Sequence, residues 1–194
     1  RDMSYPAKVP SPRSWSPAHL LTLLLACQSL LACQTTEPAD PLDPNVIKEA
    51  AEAEGDAKGA DYSGTYDIRV DATAACNCPT IAGMDLCHNQ LTTLASVGGS
   101  VTITRNDGFL VLSEDAQLLN LTGGVDSDGG FDLAGIYAGG GVVGELSVYV
   151  HLIGAFSSDD RFSATLHSRA EGEYNGEPID CRTEVPLYGV RKAT

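Results

Sequence analysis

The sequence is poor in basic residues and nearly lacks tryptophan. Among its 194 residues, 12 are Lys or Arg against 26 Asp or Glu, which gives a net charge of −14, and the single tryptophan is Trp15. Proteins that bind nucleic acid need clustered Lys and Arg to neutralise phosphates, so this balance argues against a nucleic-acid partner. It argues equally against attachment to anionic lipid through basic patches.

Catalytic patterns are also missing. The sequence contains no Gly-x-Ser-x-Gly, His-Glu-x-x-His or Ser-x-x-Lys motif. His151 and His167 alternate with apolar residues, so we expect both to point outward on neighbouring strands, where they can approach one another. Exposed histidines without a chemical role are the commoner case. We therefore predict that the protein is not an enzyme and holds no cofactor or metal.

The N-terminal apolar run, residues 20–33, is too short to cross a bilayer. Its roughly 13 apolar positions fall below the about 20 that a spanning helix needs, but they suit the apolar core of a signal peptide. Arg1, Lys8 and Arg13 precede the run, and no acidic residue occurs between Asp2 and Glu37. This polarity is typical of an export signal.

The run ends in Leu30-Leu31-Ala32-Cys33, which resembles the lipobox of bacterial lipoproteins. The resemblance implies that residues 1–33 are removed and that Cys33 becomes the lipid-bearing first residue, with a diacylglyceryl thioether and an N-acyl group. Cys27 also follows Leu-Leu-Ala, but processing there leaves an apolar core of only about 7 residues. Gln34, a non-acidic residue after the cysteine, fits sorting to the outer membrane. The expected location is the cell envelope, with the membrane contacted through the covalent lipid.

Residues 34–60 are predicted to be a disordered acidic tether rich in proline. Removal of residues 1–33 leaves 25 acidic and 9 basic residues, a net charge of −16. Within the tether, residues 46–54 are helix formers, with Asn45 as a possible N-cap and Gly55 as a stop. A helix of about 10 residues should be marginal unless it packs on something.

From residue 61 to 194 the pattern has a period of two, which predicts an all-β domain. About eight strands follow one another with short turns, such as the one at residues 106–108, and helix is plausible only near residues 90–95. Successive antiparallel strands favour a closed up-and-down barrel, because closure removes exposed sheet edges. A two-sheet sandwich is the alternative.

At Gly64-Thr65-Tyr66 the domain resembles the lipocalins, whose first strand opens with Gly-x-Trp. Tyr66 stands at the tryptophan position, and Arg191 or Lys192 is the candidate for the family's basic residue on the last strand. The resemblance implies a barrel that holds a small apolar ligand. The alternative is a structural or interaction protein, meeting an envelope protein through its outer face. Small inward residues leave room for a ligand and large ones fill it. The small ones are Ala72, Ala74, Ala164 and Gly172, and the large ones are Phe156, Phe162 and Tyr174.

Four cysteines of the domain, Cys76, Cys78, Cys87 and Cys181, are an even number in an exported chain, which predicts disulfides. Because the first strand should lie beside the last and both positions have inward parity, the preferred pairing is Cys76 with Cys181 and Cys78 with Cys87. A zinc site formed by the first three with His88 is the rival. Structural zinc sites favour a Cys-x₂-Cys spacing, which is absent here.

Overall fold

The computed structural model describes residues 39–58, 61–71, 74–81, 84–85, 87, 99–114, 119–141, 144–174 and 176–193. Within them lie a helix and eleven strands. They are α1 (Pro44–Glu52), β1 (Gly64–Val70), β2 (Ala75–Cys76), β3 (Thr80–Ile81), β4 (Met84–Asp85), β5 (Ser100–Asn106), β6 (Phe109–Glu114), β7 (Asn120–Val125), β8 (Gly130–Gly141), β9 (Gly144–Ser158), β10 (Arg161–Tyr174) and β11 (Glu177–Arg191).

Eight of the strands close into an antiparallel barrel. The order is β1, β5, β6, β7, β8, β9, β10 and β11, and β11 returns to β1, where Tyr66 faces Arg191. β2 adds a short pairing to β11, and β3 pairs with β4 in a separate ribbon. Closure leaves neither edge of the eight-stranded sheet unpaired. The predicted eight-stranded up-and-down barrel is therefore confirmed over the sandwich.

The alternation of the sequence decides which side chains lie inside. On β11, Ile179, Cys181 and Val185 are buried, whereas Asp180 and Glu184 between them are exposed. The same period of two holds on the neighbouring strands, because successive side chains of a strand point to opposite faces. The core cluster thus forms inside the barrel, from residues that the alternation predicts to face inward.

Residues 39–58 lie against the barrel, where a disordered tether was predicted over residues 34–60. The side chain of Asp43 caps α1 by accepting the backbone N–H of Asn45 at 2.8 Å, and Pro44 takes the first helical position. The predicted N-cap, Asn45, therefore lies inside the helix. Pro44 suits this position because its missing N–H has no intrahelical partner there.

Packing on the barrel explains why so short a helix forms. Ile47 is fully buried, and together with Leu42 and Ala50 it contacts Ala134 and Tyr149 on the outer face of the barrel. A nine-residue helix has little stability in isolation. The prediction that this stretch would need a packing partner agrees with these contacts, and the partner is the barrel itself.

Beyond α1 the segment continues along the barrel in extended form. The Gly55 N–H donates to the carbonyl of Gly108 at 3.0 Å, and the Ala57 N–H donates to the carbonyl of Val125 at 3.0 Å. A Cβ on Gly55 would lie 2.1 Å from the Val125 carbonyl oxygen. Glycine is therefore required at position 55 by the close approach of two backbones.

The cysteines form two disulfides, as predicted, but the preferred pairing is wrong. The bonds join Cys76 to Cys87 and Cys78 to Cys181, with Cα–Cα distances of 5.7 and 4.4 Å. The first closes a short loop and the second links β11 to the residues just after β2. A disulfide does join the start of the domain to the last strand, as expected, but it is formed by Cys78 and not by Cys76.

A register shift along β11 explains the exchange of partners. Val70 faces Leu187 on β1, and an uninterrupted ladder would bring Cys76 opposite Cys181. On β2, however, Cys76 faces Thr183, so the register has moved by two residues. Cys78 consequently lies opposite Cys181.

Several predictions fall outside the described residues. They concern Cys27 and Cys33, the tether before residue 39, and the helix near residues 90–95. Among the helical residues that the structure does describe, no helix has the length and apolar character needed to cross a membrane.

Candidate functional site

Aromatic rings fill one end of the barrel interior. The ring centroid of Phe156 lies 4.1 Å from that of Tyr62, 5.1 Å from Phe131, 5.5 Å from Phe162 and 6.2 Å from Tyr66. All five side chains are buried. Rings at these separations attract one another beyond the burial of their surface. At this end the large inward side chains occupy the interior.

Arg191 covers the same end from β11. Its guanidinium carbon lies 5.6 Å from the centre of the Tyr66 ring, and its Nε donates to the Tyr66 hydroxyl at 3.3 Å. Of the two basic candidates on the last strand, Arg191 is the one that contacts Tyr66, whereas Lys192 pairs with Asp67 at 3.1 Å. Burial raises the pKa of Tyr66, and the hydrogen bond from Arg191 opposes this shift.

Glycine at position 64 makes room for this cover. Gly64 has a φ of 155°, a conformation that other residues rarely adopt, and a Cβ there would lie 3.0 Å from Nε of Arg191. The Gly-x-Tyr pattern singled out in the sequence thus places a glycine under the arginine and a buried tyrosine beside it.

The inward side chains are smaller and more polar toward the middle of β10. Ala164 and Ala170 are buried there, and the hydroxyls of Ser168 and Thr183 are hydrogen-bonded to each other. Within the part of the chain that the structure describes, each buried side-chain nitrogen or oxygen has a hydrogen-bond partner. The Ser168–Thr183 pair is therefore satisfied by the protein itself.

A second set of functional candidates lies on the outside of the barrel. We call it the docking face, meaning the outward residues that residues 39–52 contact. Residues 39–52 cover it with the apolar side of α1 and with polar bonds, one of them from the Thr122 hydroxyl to the Ala51 carbonyl at 2.8 Å. The docking face consists of Thr122, Ala134, Tyr149, His151 and Arg182.

His151 is the buried polar centre of the docking face. Only 2% of the residue is exposed. Its Nδ1 lies 2.7 Å from the carbonyl oxygen of Pro41, and its Nε2 forms an ion pair with Oδ1 of Asp132 on β8. Burial lowers the pKa of His151, but the hydrogen bond and charge of Asp132, aided by the Pro41 carbonyl, outweigh burial and raise it above 6.5. His151 thus joins the N-terminal segment to the barrel.

An ion pair joins the segment to β11 as well. Oδ2 of Asp40 lies 2.7 Å from Nη2 of Arg182, and Oδ1 of Asp40 accepts the backbone N–H of Leu42 at 3.0 Å. The hydrogen bond from Arg182 lowers the pKa of Asp40 below 3.8. Both charged side chains remain about 40% exposed, so water screens this pair more than it screens His151.

Further charged groups extend beside the docking face. Arg169 on β10 binds both carboxylate oxygens of Asp180, at 2.8 and 3.0 Å, and also contacts Glu171 at 2.8 Å. The Tyr149 hydroxyl donates to Glu171 at 2.8 Å, and this bond raises the pKa of Tyr149. These side chains are held in one network and are satisfied without a bound ion.

The second predicted histidine lies next to the first. His167 is the direct cross-strand partner of His151, as their parity predicts, and its Nδ1 is 3.9 Å from Oε2 of Glu184. It lines a surface pocket of 380 Å³ with Asp40 and Cys76 among its neighbours. Burial lowers the pKa of His167, and the charge of His151 lowers it further, whereas the charge of Glu184 raises it. The expectation of an exposed side chain is wrong for His151, which residues 39–52 cover.

The sulfur atoms of Cys76, Cys78 and Cys87, the three cysteines of the zinc alternative, lie within 4.8 Å of one another. The Cys78 N–H donates to the Cys87 sulfur at 3.1 Å. All three sulfurs belong to disulfides, two with each other and one with Cys181. His88, the fourth candidate ligand, lies outside the described residues.

Sequence reasoning missed the residues that pair with His151. Nothing in the sequence gives a reason to pair Asp132 with a histidine, and Pro41 belonged to the predicted tether. The available signal was the spacing of Ile47 and Ala50, which share one side of a helix and are both buried here.

Comparisons with protein-family models, with curated proteins and with solved structures give no match for this chain.

Proposed function

We propose that this protein is an exported, non-catalytic lipoprotein of the bacterial cell envelope, anchored through Cys33 and sorted to the outer membrane. Support comes from the short apolar run, the lipobox-like Leu30–Cys33 and the following Gln34. The two disulfides fit a chain that matures in an oxidising compartment. With a net charge of −16 after residue 33, attachment depends on covalent lipid.

The working part of the molecule, in this proposal, is the outer surface of a filled barrel, which meets another envelope protein or has a structural role. The observation that carries this choice is the contact of Phe156 with four other buried rings at one end of the interior. Small barrels filled by their own side chains have no room for a ligand at the filled level. The mutual bond of Ser168 and Thr183 supports the same choice, because each hydroxyl already has a partner within the protein.

Binding of a small apolar molecule in a lipocalin-like barrel is the second candidate. It is favoured by the placement of Arg191 over Tyr66 beside Gly64, which is the arrangement expected from the lipocalin resemblance. The inward Ala164 and Ala170 provide the space in this version. The two candidates differ in whether the barrel carries a molecule when isolated.

Metabolic labelling with an alkyne fatty acid in a Gram-negative host tests the anchor. We expect Cys33→Ser to abolish labelling and detergent-phase partitioning, whereas Cys27→Ser, the matched control at the other cysteine of the same apolar run, leaves both unchanged. Mass spectrometry of the mature protein should give an N-terminal lipid-modified Cys33. Labelling that survives Cys33→Ser, or a mature protein beginning at another residue, would contradict the proposal.

Native mass spectrometry distinguishes the two uses of the barrel. The filled barrel predicts one mass equal to that of the protein in several independent preparations, including after incubation with mixed fatty acids. A reproducible adduct that Phe156→Trp removes would favour the ligand-binding candidate, because the larger ring takes more of the interior. This outcome would not bear on the proposal that Cys33 carries the lipid anchor.

A further inference from the structure

A buried histidine holds the N-terminal segment between two acceptors. Nδ1 of His151 faces the Pro41 carbonyl at 2.7 Å, and Nε2 faces the Asp132 carboxylate. Neither a carbonyl nor an ionised carboxylate has a proton to give, and a neutral imidazole carries one N–H. Both contacts are hydrogen bonds only when the ring carries a proton on each nitrogen. The geometry therefore requires the imidazolium form.

We infer that residues 39–58 form a latch whose docking on the barrel requires protonated His151, so that the latch is released when the surroundings become more alkaline. On deprotonation the remaining proton stays on Nε2, because a hydrogen bond to the Asp132 carboxylate is stronger than one to a neutral carbonyl, and Nδ1 then turns a lone pair toward the Pro41 oxygen. The contact with Pro41 is the one that crosses from the barrel to the segment, and Asp132 lies on the barrel itself. Loss of the proton thus weakens the join between segment and barrel.

Charged groups from every element around His151 act on the same equilibrium. Asp132 on β8 favours the proton on His151, whereas Asp40 in the segment acts on the neighbouring His167, whose pKa it raises. On β10, His167 opposes the protonation of His151, because each histidine's charge disfavours the charge of the other. On β11, Glu184 faces His167 at 3.9 Å, and Arg182 is neutralised by Asp40 at 2.7 Å. Of these groups, Asp132 makes the direct contact, so it dominates.

Release can be local because the strand ladder of the barrel closes without the segment. The barrel's strand ladder closes through β1 and β11 and contains no residue of the segment. The segment contributes a narrow apolar stripe, Leu42, Ile47 and Ala50. Two backbone bonds, at Gly55 and Ala57, continue the contact, and Ala57 also packs against the core cluster of the barrel. The Ala57 carbonyl accepts from Nη2 of Arg105 at 2.7 Å, and the Asp56 carboxylate accepts the Ser127 N–H at 2.7 Å. A unit with few buried apolar residues is the kind that opens at lower free energy than the whole fold.

The sign of the pH effect follows from the hydrogen bond between Nδ1 and Pro41, which only the docked segment supplies and only a protonated Nδ1 can donate. Asp132 lies on the barrel and raises the pKa of His151 whether or not the segment is docked; docking adds the Pro41 carbonyl, which raises this pKa further, against the burial of the ring, which lowers it. The contribution of the protonated ring is therefore complete at low pH and is lost as the pH rises through the docked-state pKa, which lies above 6.5. Between the released-state and docked-state pKa values the docking constant falls about tenfold per pH unit. In the lipid-anchored protein proposed above, on which this one consequence rests, release adds residues 39–58 to the tether. As a flexible coil, a segment of this length spans about 25 Å root-mean-square by itself.

Two measurements on the full chain test the latch. Nuclear magnetic resonance of imidazole-labelled protein should show His151 doubly protonated at pH 6, with a pKa above that of a free histidine. Hydrogen exchange, expressed as protection factors at each pH, should show the α1 amides losing at least tenfold protection through the same titration while β9 and β10 stay protected. Unlipidated protein serves for both, so the result is independent of the anchor.

Variants separate the charge from the fold. Asp132→Asn retains an acceptor but removes the charge, and we expect both the His151 pKa and the midpoint of α1 release to fall together. Asp128→Asn is the matched control, since Asp128 accepts the Gly130 N–H at 2.9 Å and an asparagine oxygen can do the same; its midpoint should be unchanged. His151→Gln should give weak α1 protection that no longer depends on pH near neutrality.

Three results would overturn the latch. They are a His151 pKa at or below 6.5, α1 protection that stays constant while His151 titrates, and a midpoint that Asp132→Asn leaves in place. If His151→Gln fails to fold, the wild-type titration and the Asp132→Asn shift still decide the matter.

Discussion

The barrel interior and the docking face are stabilised by different interactions. Around Phe156 the contacts are between neutral rings that are buried together. On the docking face a small apolar stripe is combined with two ion pairs, His151–Asp132 and Asp40–Arg182. Burial of apolar surface depends little on pH, whereas each ion pair requires a given protonation state.

This difference assigns different roles to the two regions. The interior provides the stability of the domain, because five large side chains lose their contact with water together. The docking face provides a contact that is weaker than the packing of the interior and that depends on pH. Substitutions in the two regions should therefore differ both in size and in which part of the chain they loosen.

Truncation of Phe156 is the strongest test of the interior. Phe156→Ala removes the ring that contacts four others, and we expect the free energy of unfolding of the whole domain to fall by about 4 kcal/mol. Urea unfolding followed by circular dichroism measures this. Ile153→Ala, on the same strand but 40% exposed, is the control and should cost well under about 1 kcal/mol. Equal effects of the two would mean that the rings do not form the main core.

Truncation of Ile47 tests whether the segment opens separately. Ile47 is fully buried between α1 and the barrel, so Ile47→Ala should weaken docking by about 2 kcal/mol. We expect hydrogen exchange of α1 to rise roughly thirtyfold while the barrel strands keep their protection. Lys48→Ala, at the adjacent exposed position of α1, is the control. Equal loss of protection in β9 and α1 would show that the two regions open together.

The sequence was sufficient to predict the barrel because its strands have one wet face and one buried face. It was not sufficient to predict the pairing of the cysteines. Parity repeats every two residues, so a register shift of two between β1 and β2 leaves Cys76 and Cys78 with the same parity. Only the cross-strand partner, Thr183 for Cys76, shows which cysteine lies opposite Cys181. A local pattern cannot contain that information.

The docking face escaped prediction for a related reason. Parity correctly placed His151 and His167 outward and side by side. An outward position is exposed only if nothing covers it, and the covering residues belong to a stretch rich in acids and proline, which is typical of a tether. Three apolar side chains of that stretch, Leu42, Ile47 and Ala50, pack on Ala134 and Tyr149 of the barrel, and polar contacts to His151 and Arg182 add to them. The complementary surface exists only after folding.

The Asp40–Arg182 pair should make the smallest contribution and oppose His151 in its pH dependence. Both side chains are about 40% exposed, so we expect Asp40→Asn to weaken docking by less than about 1 kcal/mol. Because Arg182 lowers the pKa of Asp40, the contribution is present above about pH 3.8 and is lost as the pH falls through the lower docked-state value. A double-mutant cycle with Arg182→Gln, measured by exchange of α1 at pH 6 and pH 3, gives the coupling. A coupling that persists at the lowest pH, or an Asp40→Asn effect confined to alkaline conditions, would contradict this assignment. With the expected result, protonated His151 stabilises docking until the pH rises through its docked-state pKa, and ionised Asp40 stabilises docking until the pH falls through its own. The stability of the barrel itself depends on neither group.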